Sequence, residues 1–149
     1  MLFRSLEMLL EYQQSDRREA CALGRAQPYA NYELLFARSN VLTSAEANKA
    51  KSLVTKVINL TQKITRKFKD HYDRPRPYTE DSRLNPCVQE PGGSKSYPSS
   101  HASMGFAGTC VLAKIFPRKA RVLEAYGQHI GDVRAIVGVH NPRDRKSVV

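Results

Sequence analysis

The chain has 149 residues, 41% of them hydrophobic and 26% charged, a composition typical of a single soluble globular domain with a sizeable core. Its formal net charge of +10 predicts anionic partners such as phosphorylated metabolites, nucleic acid or an acidic surface. No apolar run approaches the roughly 18 residues that span a bilayer, and Arg4 and Glu7 interrupt the apolar start. Neither a membrane span nor a secretory signal peptide is therefore predicted.

Helices are predicted along the whole chain. A weak one is expected from Leu2 to Ala22. Thr43, with Glu46 three residues later, forms a capping-box signature, and apolar residues continue from it as the stripe of a long amphipathic helix ending near Tyr72. The stripe consists of Ala50, Leu53, Val54, Val57, Leu60, Ile64 and Phe68.

Prolines then interrupt the helical pattern. Those in "RPRPY" stop the long helix, and residues 74–98, with five prolines and two glycines, are predicted to form one long loop. The next helix is expected to begin near Ser99, and another to run from Arg118 to Val139. Because no strand alternation, internal repeat or second domain is visible, the prediction is an all-α helical bundle with residues 1–149 in a single domain.

The cysteines do not indicate a metal site. None of the three has the CxxC spacing of a zinc site, so no metal is predicted. Cys110 lies in an apolar run and is expected in the core. Cys21 and Cys87 can form a disulfide if the protein is exported, a choice that their spacing leaves open.

Two stretches contain residues suited to holding a phosphate group. In "KDHYDRPRPY", Lys69 precedes Arg76, and the prolines would hold the Arg76 guanidinium for bidentate capture of an oxyanion. The alternative is an ordinary basic helix end. In "PSSHAS", a helix N-terminus would present its N–H groups together with Ser99 and Ser100, and His101 would give or take a proton. The alternative is that Ser99 is only an N-cap.

A third stretch, "VRAIVGVHNPRD", places Arg134 before His140 and Asp144 after it. His140 and Asp144, four residues apart, would share one helix face, and a carboxylate on Nδ1–H would leave Nε2 free as base, nucleophile or ligand. The alternative is that Asp144 is a surface charge. Jointly the three stretches supply the groups for binding a tetrahedral oxyanion and passing it to a histidine.

The order of these motifs, Lys-x6-Arg-Pro, Pro-Ser-x-His and Arg-x5-His-x3-Asp, resembles the signature of the bacterial class A non-specific acid phosphatases. That family lies within the phosphatidic acid phosphatase type 2 and vanadium haloperoxidase superfamily, and the resemblance covers residues 40–144. It implies a helical bundle of the same type. It also implies a periplasmic or secreted protein, whereas a complete chain without a signal peptide would be cytoplasmic.

The resemblance further implies a role for each motif residue. His140 would attack phosphorus while Asp144 orients it, and His101 would protonate the leaving alcohol and then activate water. No metal or other cofactor is implied, although phosphate or vanadate would fit the same site. The phosphate oxygens would be held by Lys69, Arg76, Ser99, Ser100 and Arg134.

Three positions depart from the family pattern. Ser100 replaces the usual glycine, and Val133 replaces the serine that usually precedes the arginine. The chain also ends five residues after Asp144, where the family continues into a long helix. A C-terminal truncation is therefore part of the hypothesis.

The resemblance implies metal-independent hydrolysis of small phosphomonoesters through a phosphohistidine intermediate. Two alternatives stay open: a vanadate-dependent haloperoxidase, and a catalytically impaired member that binds anionic metabolites or nucleic acid. Nucleic acid is not the expected partner, because the basic residues are scattered and no aromatic platform lies between them. Exposed apolar helix faces would favour a homo-oligomer.

Overall fold

The structure is a computed structural model that describes residues 2–90 and 93–145. Apart from one isolated bridge between Pro75 and Lys95, this part of the chain contains no β-structure, so the predicted all-α class is confirmed. Within the same residues, every helix is too short or too polar to cross a bilayer. In chain order the helices are α1 (Leu2–Gln14), α2 (Arg18–Ala26), a π-helix (Glu33–Ala37), α3 (Ser44–Tyr72), α4 (Pro77–Glu80), α5 (Ser100–Ile115), a 3-10 turn (Pro117–Lys119) and α6 (Ala120–Ile136).

The longest helix, α3, is fixed at both ends by its own sequence. The hydroxyl of its N-cap Thr43 accepts a hydrogen bond from the Glu46 N–H at 3.2 Å, and the Glu46 carboxylate accepts one from the Thr43 N–H at 2.8 Å. At the other end Asp73 adopts a left-handed conformation with a φ of 44°, two residues before Pro75. The predicted capping box and helix end are confirmed, and Lys69 lies in the last turn.

The core lies where α5 packs against both α3 and α6. A second apolar cluster, around Val133, Val137 and Val139, joins α2 to the end of α6 and the residues after it. This packing brings the last turn of α3, the first turn of α5 and the segment after α6 to one side of the molecule. The main core consists of Tyr32, Leu35, Phe36, Leu42, Ala47, Ala50, Val54, Ile58, Met104, Leu112, Leu123 and Ile130.

Several predicted helix boundaries are wrong. The predicted helix from Leu2 to Ala22 is two helices, α1 and α2, separated by residues 15–17. The last helix ends at Ile136 rather than Val139, because Gly138 adopts a left-handed conformation with a φ of 88°. The predicted long loop contains the short helix α4, and the π-helix was not predicted.

The predicted apolar stripe of α3 is only partly buried. The helix turns the side carrying Ala50, Val54 and Ile58 toward the core. Cys110 was predicted to be in the core and is instead exposed on α5. In both helices the apolar residues cover more of the circumference than the neighbouring helices contact, so one edge of each pattern faces outward. The exposed fractions along α3 are 52% at Leu53, 60% at Leu60, 47% at Ile64 and 47% at Phe68.

Gly108 allows α5 to approach the π-helix closely. A Cβ atom at position 108 would overlap the ring of Phe36, which is fully buried in the core. We expect Gly108→Ala to lower the free energy of unfolding by about 1–3 kcal/mol, the usual cost of overpacking a core. Urea unfolding followed by circular dichroism measures this change, and adding Phe36→Leu should recover part of the loss. An unchanged midpoint in Gly108→Ala would contradict the close approach.

Candidate active site

A cavity of about 470 Å³ lies between α3, the N-terminal end of α5 and residues 28–31. Five of the eight predicted phosphate-site residues line it, and the other three either contact a lining residue or directly precede one in the chain. The structure therefore brings the three predicted stretches together around one cavity. The five that line the cavity are Lys69, Arg76, Ser100, His101 and His140, and the three others are Ser99, Arg134 and Asp144.

Lys69 reaches the cavity from the last turn of α3 and is only 8% exposed. Its ammonium group donates hydrogen bonds to the backbone carbonyls of Lys95 at 3.0 Å and Ser96 at 3.3 Å. Burial, together with the nearby charge of Arg76, lowers the pKa of Lys69 to about 8. The side chain is therefore held by the long loop through two carbonyl groups, while the residue also lines the cavity.

Arg76 is fixed by the backbone on both sides of the cavity. Its Nε donates to the Gly93 carbonyl at 3.2 Å, and its Nη1 donates to the Val139 carbonyl at 3.0 Å. The residue is 2% exposed and directly precedes Pro77, the first residue of α4. The guanidinium group is thus oriented before any ligand binds.

His140 and Asp144 form the predicted contact, although not on a helix. The interpretation of "HNPRD" as a helix face is wrong, because residues 141–144 form turns. The turns bring His140 Nδ1 to 3.1 Å from an Asp144 carboxylate oxygen. The same oxygen accepts hydrogen bonds from the Asn141 N–H at 3.0 Å and from the Ser96 hydroxyl. These contacts fix the carboxylate that orients the imidazole.

These contacts determine the protonation of His140. Burial lowers the pKa of His140 to about 4, and the Arg76 charge acts in the same direction, while the hydrogen bond with Asp144 opposes them. The neutral ring donates Nδ1–H to Asp144, so Nε2 carries the lone pair. Nε2 lies 2.7 Å from Arg76 Nη1 and accepts a hydrogen bond from it. The arrangement provides a neutral, oriented imidazole nitrogen beside a fixed guanidinium group.

The N-terminal end of α5 carries the second histidine. The Ser99 hydroxyl caps the helix by accepting a hydrogen bond from the Ala102 N–H at 3.3 Å, which is the simpler of its two interpretations. His101 donates from Nε2 to the Gln27 carbonyl at 2.8 Å. Burial, followed by the charge of Arg134, lowers the pKa of His101 to about 3. In the described structure this ring is therefore neutral at physiological pH.

Arg134 projects from the last turn of α6 and is 1% exposed. Its Nη2 donates to the Glu90 carboxylate at 2.6 Å, whereas Nε and Nη1 are buried with no hydrogen-bond partner among the described residues. Buried donors without a partner are rare in folded proteins, because each has lost its hydrogen bonds to water. Two such donors lie on one guanidinium group whose carboxylate partner, Glu90, lines the cavity.

A profile of the PAP2 superfamily matches residues 51–145, which include all eight predicted site residues. The chain belongs to the PAP2 superfamily. PAP2 proteins are generally phosphatases, so phosphatase-type hydrolysis is the activity that this membership indicates. Two Arg134 donors have no partner among the described residues, and a guanidinium group with free donors suits an oxyanion.

Three residues of this PAP2 site were missed by the sequence analysis. Glu90 contacts Arg134, Ser96 donates to Asp144, and the backbone of Gln27 accepts from His101. Glu90 and Ser96 lie in the predicted long loop, whose composition gave no pattern to distinguish them. A carbonyl such as that of Gln27 carries no signal in the sequence at all. The signal that could have indicated Glu90 is that it is the one acidic residue between Cys87 and Lys95.

A disulfide connects two parts of the PAP2 chain that border the site. Cys21 of α2 is bonded to Cys87, with 5.7 Å between their Cα atoms, and the Cys87 N–H donates to the Val137 carbonyl at 3.2 Å. The bridge fixes the chain three residues before Glu90. Among residues 2–90 and 93–145, no group of three or more His, Cys, Asp or Glu side chains is placed to hold a metal ion.

Burial of both histidines predicts a stability that falls in acid. The folded chain keeps His101 and His140 neutral down to pKa values of about 3 and 4, whereas an unfolded chain takes up these protons near 6.5. This contribution is complete above about pH 7 and is lost as the pH falls toward 4, by about 1 kcal/mol per histidine per pH unit. Urea unfolding at several pH values between these limits measures the slope. His101→Asn should make the slope shallower, and an unchanged slope in that variant would refute the prediction.

Proposed function

We propose that this PAP2 chain hydrolyses small phosphomonoesters as an acid phosphatase of the bacterial class A type, through a phosphohistidine at His140. The observation that carries the proposal is the pairing of two chemical features beside one cavity. Arg134 has buried donors without a partner in residues 2–90 and 93–145, and His140 presents a neutral, oriented Nε2. The first feature suits an oxyanion, and the second suits nucleophilic attack on it.

Binding would use donors that are already fixed. The cations of Lys69, Arg76 and Arg134 attract the phosphoryl group, and the first N–H groups of α5, with Ser99 and Ser100, add neutral donors. Donors held by the protein need little rearrangement when charge develops on the transferring group, so they stabilise the transition state more than the ground state. A cavity of about 470 Å³ accommodates a small ester.

The chemistry would proceed in two displacements. His140 Nε2 forms a bond to phosphorus while the bond to the ester oxygen breaks, and protonated His101 gives its proton to the leaving alcohol. Arg76 Nη1, which donates to Nε2 in the described structure, turns its hydrogen bond to a phosphoryl oxygen. His101 then takes a proton from water, the water oxygen bonds to phosphorus, and the P–N bond breaks to release phosphate and neutral His140.

The charge of the substrate would prepare His101 for its role as an acid. Burial and the charge of Arg134 keep this imidazole neutral in the described structure, with a pKa of about 3. A negatively charged phosphoryl group beside the ring compensates the Arg134 charge and favours the imidazolium form, so the pKa of His101 rises when substrate binds. The reaction needs no cofactor, and vanadate would occupy the same donors as an inhibitor.

The disulfide supports a location outside the cytoplasm. Disulfides such as Cys21–Cys87 persist in oxidising compartments and are rare where glutathione keeps thiols reduced. A periplasmic or secreted location is therefore part of the proposal.

The proposed nucleophile is tested by replacing His140. We expect His140→Asn to lower kcat for p-nitrophenyl phosphate at least about a thousandfold, because no covalent intermediate can form. His129→Asn, which replaces an exposed histidine of α6, is the matched control and should keep full activity. Circular dichroism establishes that both variants are folded.

A trapping experiment tests the intermediate directly. Labelled substrate quenched in alkaline denaturant should leave phosphate on His140, since a P–N bond survives base better than acid. Activity that persists in His140→Asn, or label that remains in that variant, would overturn the proposed mechanism.

The homo-oligomer predicted from sequence stays a prediction, and the exposed stripe of α3 is its candidate surface. Replacing two of its half-exposed side chains, Leu60→Ser with Ile64→Ser, should convert an oligomer to monomer in sedimentation velocity because less apolar surface is buried. The double variant should retain activity, since neither residue lines the cavity. Wild-type protein that sediments as a monomer would contradict the prediction.

A further inference from the structure

Glu90 places a negative charge inside the proposed phosphate site. Its carboxylate lies 2.6 Å from Arg134 Nη2 and 3.7 Å from Arg76 Nη1, and its side chain is only 5% exposed. Burial alone would raise the pKa of Glu90, but the charges of Arg134 and Arg76 outweigh it and hold the pKa below its ordinary value. The group is therefore ionised at physiological pH, and the proposed displacements make no use of it.

The position of Glu90 is unfavourable for a site built only to bind phosphate tightly. A carboxylate beside the two arginines repels the phosphoryl oxygens that the same arginines attract. If the arginines needed only a hydrogen-bond acceptor for support, a neutral carbonyl would serve, as Gly93 and Val139 do for Arg76. Support of the arginines therefore explains why Glu90 accepts a hydrogen bond, but it does not explain why Glu90 is negatively charged.

The net charge around the cavity explains why Glu90 carries a negative charge. Before substrate binds, the three buried cations and two buried carboxylates of the described residues leave a net charge of +1, because both histidines are then neutral. Arg66 adds a further charge in the lining, but it is exposed and therefore screened by water. Among the described residues, the charged and titratable groups that act on Glu90 are Arg76, Arg134, Lys69 and His101, and His140 and Asp144 lie beyond Arg76.

We propose that Glu90 makes the site selective for the singly charged form of a phosphoryl group. A net charge of +1 neutralises one negative charge, whereas a doubly charged group leaves one unit uncompensated in a buried cavity. Without Glu90 the same cavity would carry +2 and would favour the doubly charged form. The inference rests on the proposed function and adds a physical reason for activity at acidic pH, where phosphomonoesters carry a single charge.

Glu90→Gln separates the charge of this residue from its hydrogen bond. The amide oxygen of glutamine still accepts from Arg134 Nη2, so support of the guanidinium is retained while the charge is removed. Glu124→Gln, at an exposed position on α6, removes an equal charge away from the cavity and is the matched control.

The experiment measures the dissociation constant of inorganic phosphate by calorimetry at about pH 5 and about pH 8, where phosphate carries mainly one and mainly two charges. Wild-type protein and Glu124→Gln should bind it more weakly at the higher pH. Part of this loss comes from Lys69, whose pKa is about 8, so the comparison with Glu90→Gln at each pH isolates the charge of Glu90. Glu90→Gln should tighten binding about fivefold at the lower pH and about twenty-five-fold at the higher pH, because the Coulomb energy doubles with the ligand's charge. Sulfate, doubly charged at both pH values, should bind Glu90→Gln more tightly than wild type by a similar factor at both.

Each other result has a definite meaning. Weaker phosphate binding in Glu90→Gln by the same factor at both pH values would show that Glu90 only supports Arg134, and would overturn the inference. If Glu90→Gln does not fold, wild-type protein alone decides, because phosphate affinity that rises with pH contradicts the selectivity. Wild-type protein that neither binds phosphate nor hydrolyses a phosphomonoester would instead overturn the proposed function itself, and the inference with it.

Discussion

Mutual compensation of buried charges is the constraint on which the site depends. Each of the three cations and two carboxylates would cost several kcal/mol if it were buried alone, so each must be brought to partners from other segments. Glu90 lies between Arg76 and Arg134, and Asp144 lies against His140. The end of α3, the start of α5, the end of α6 and the long loop must therefore converge on one point. The two arginines are 2% and 1% exposed, so water contributes little to this compensation.

Backbone carbonyls, more than acidic side chains, orient the cations. Lys69 is held by the carbonyls of Lys95 and Ser96, and Arg76 is held by those of Gly93 and Val139. Carbonyl groups orient a cation without cancelling its charge, which leaves an electrostatic attraction for a ligand. The cations of such a site are oriented before substrate binds. The net charge of the site then depends on how many carboxylates are buried beside them.

Helix caps, which depend on residues within one helical turn, were predicted correctly. The burial of individual apolar side chains was not, because it depends on which face of a helix packs against its neighbours. The capping box of Thr43 and the start of α5 at Ser99 are local hydrogen-bond patterns, and both occur as predicted. Leu60 and Cys110 were predicted to be buried and are exposed, because a period of 3.6 residues marks apolar faces without saying which of them a neighbour will cover. His140 meets Asp144 through turns instead of a helix, although the four-residue spacing is the same.

The sequence by itself determined the all-α class, the long helix, and the lysine, arginines and histidines that a phosphate site requires, since these depend on local spacing and residue type. Only the tertiary structure decided the partners of those residues. Arg134 meets Glu90 across 44 positions of the chain, and His101 meets the Gln27 carbonyl across 74. Contacts at such separations arise from the packing of α2, α5 and α6. The same packing excludes water. Burial keeps both histidines neutral, and two Arg134 donors have no partner in the part of the chain that the structure describes.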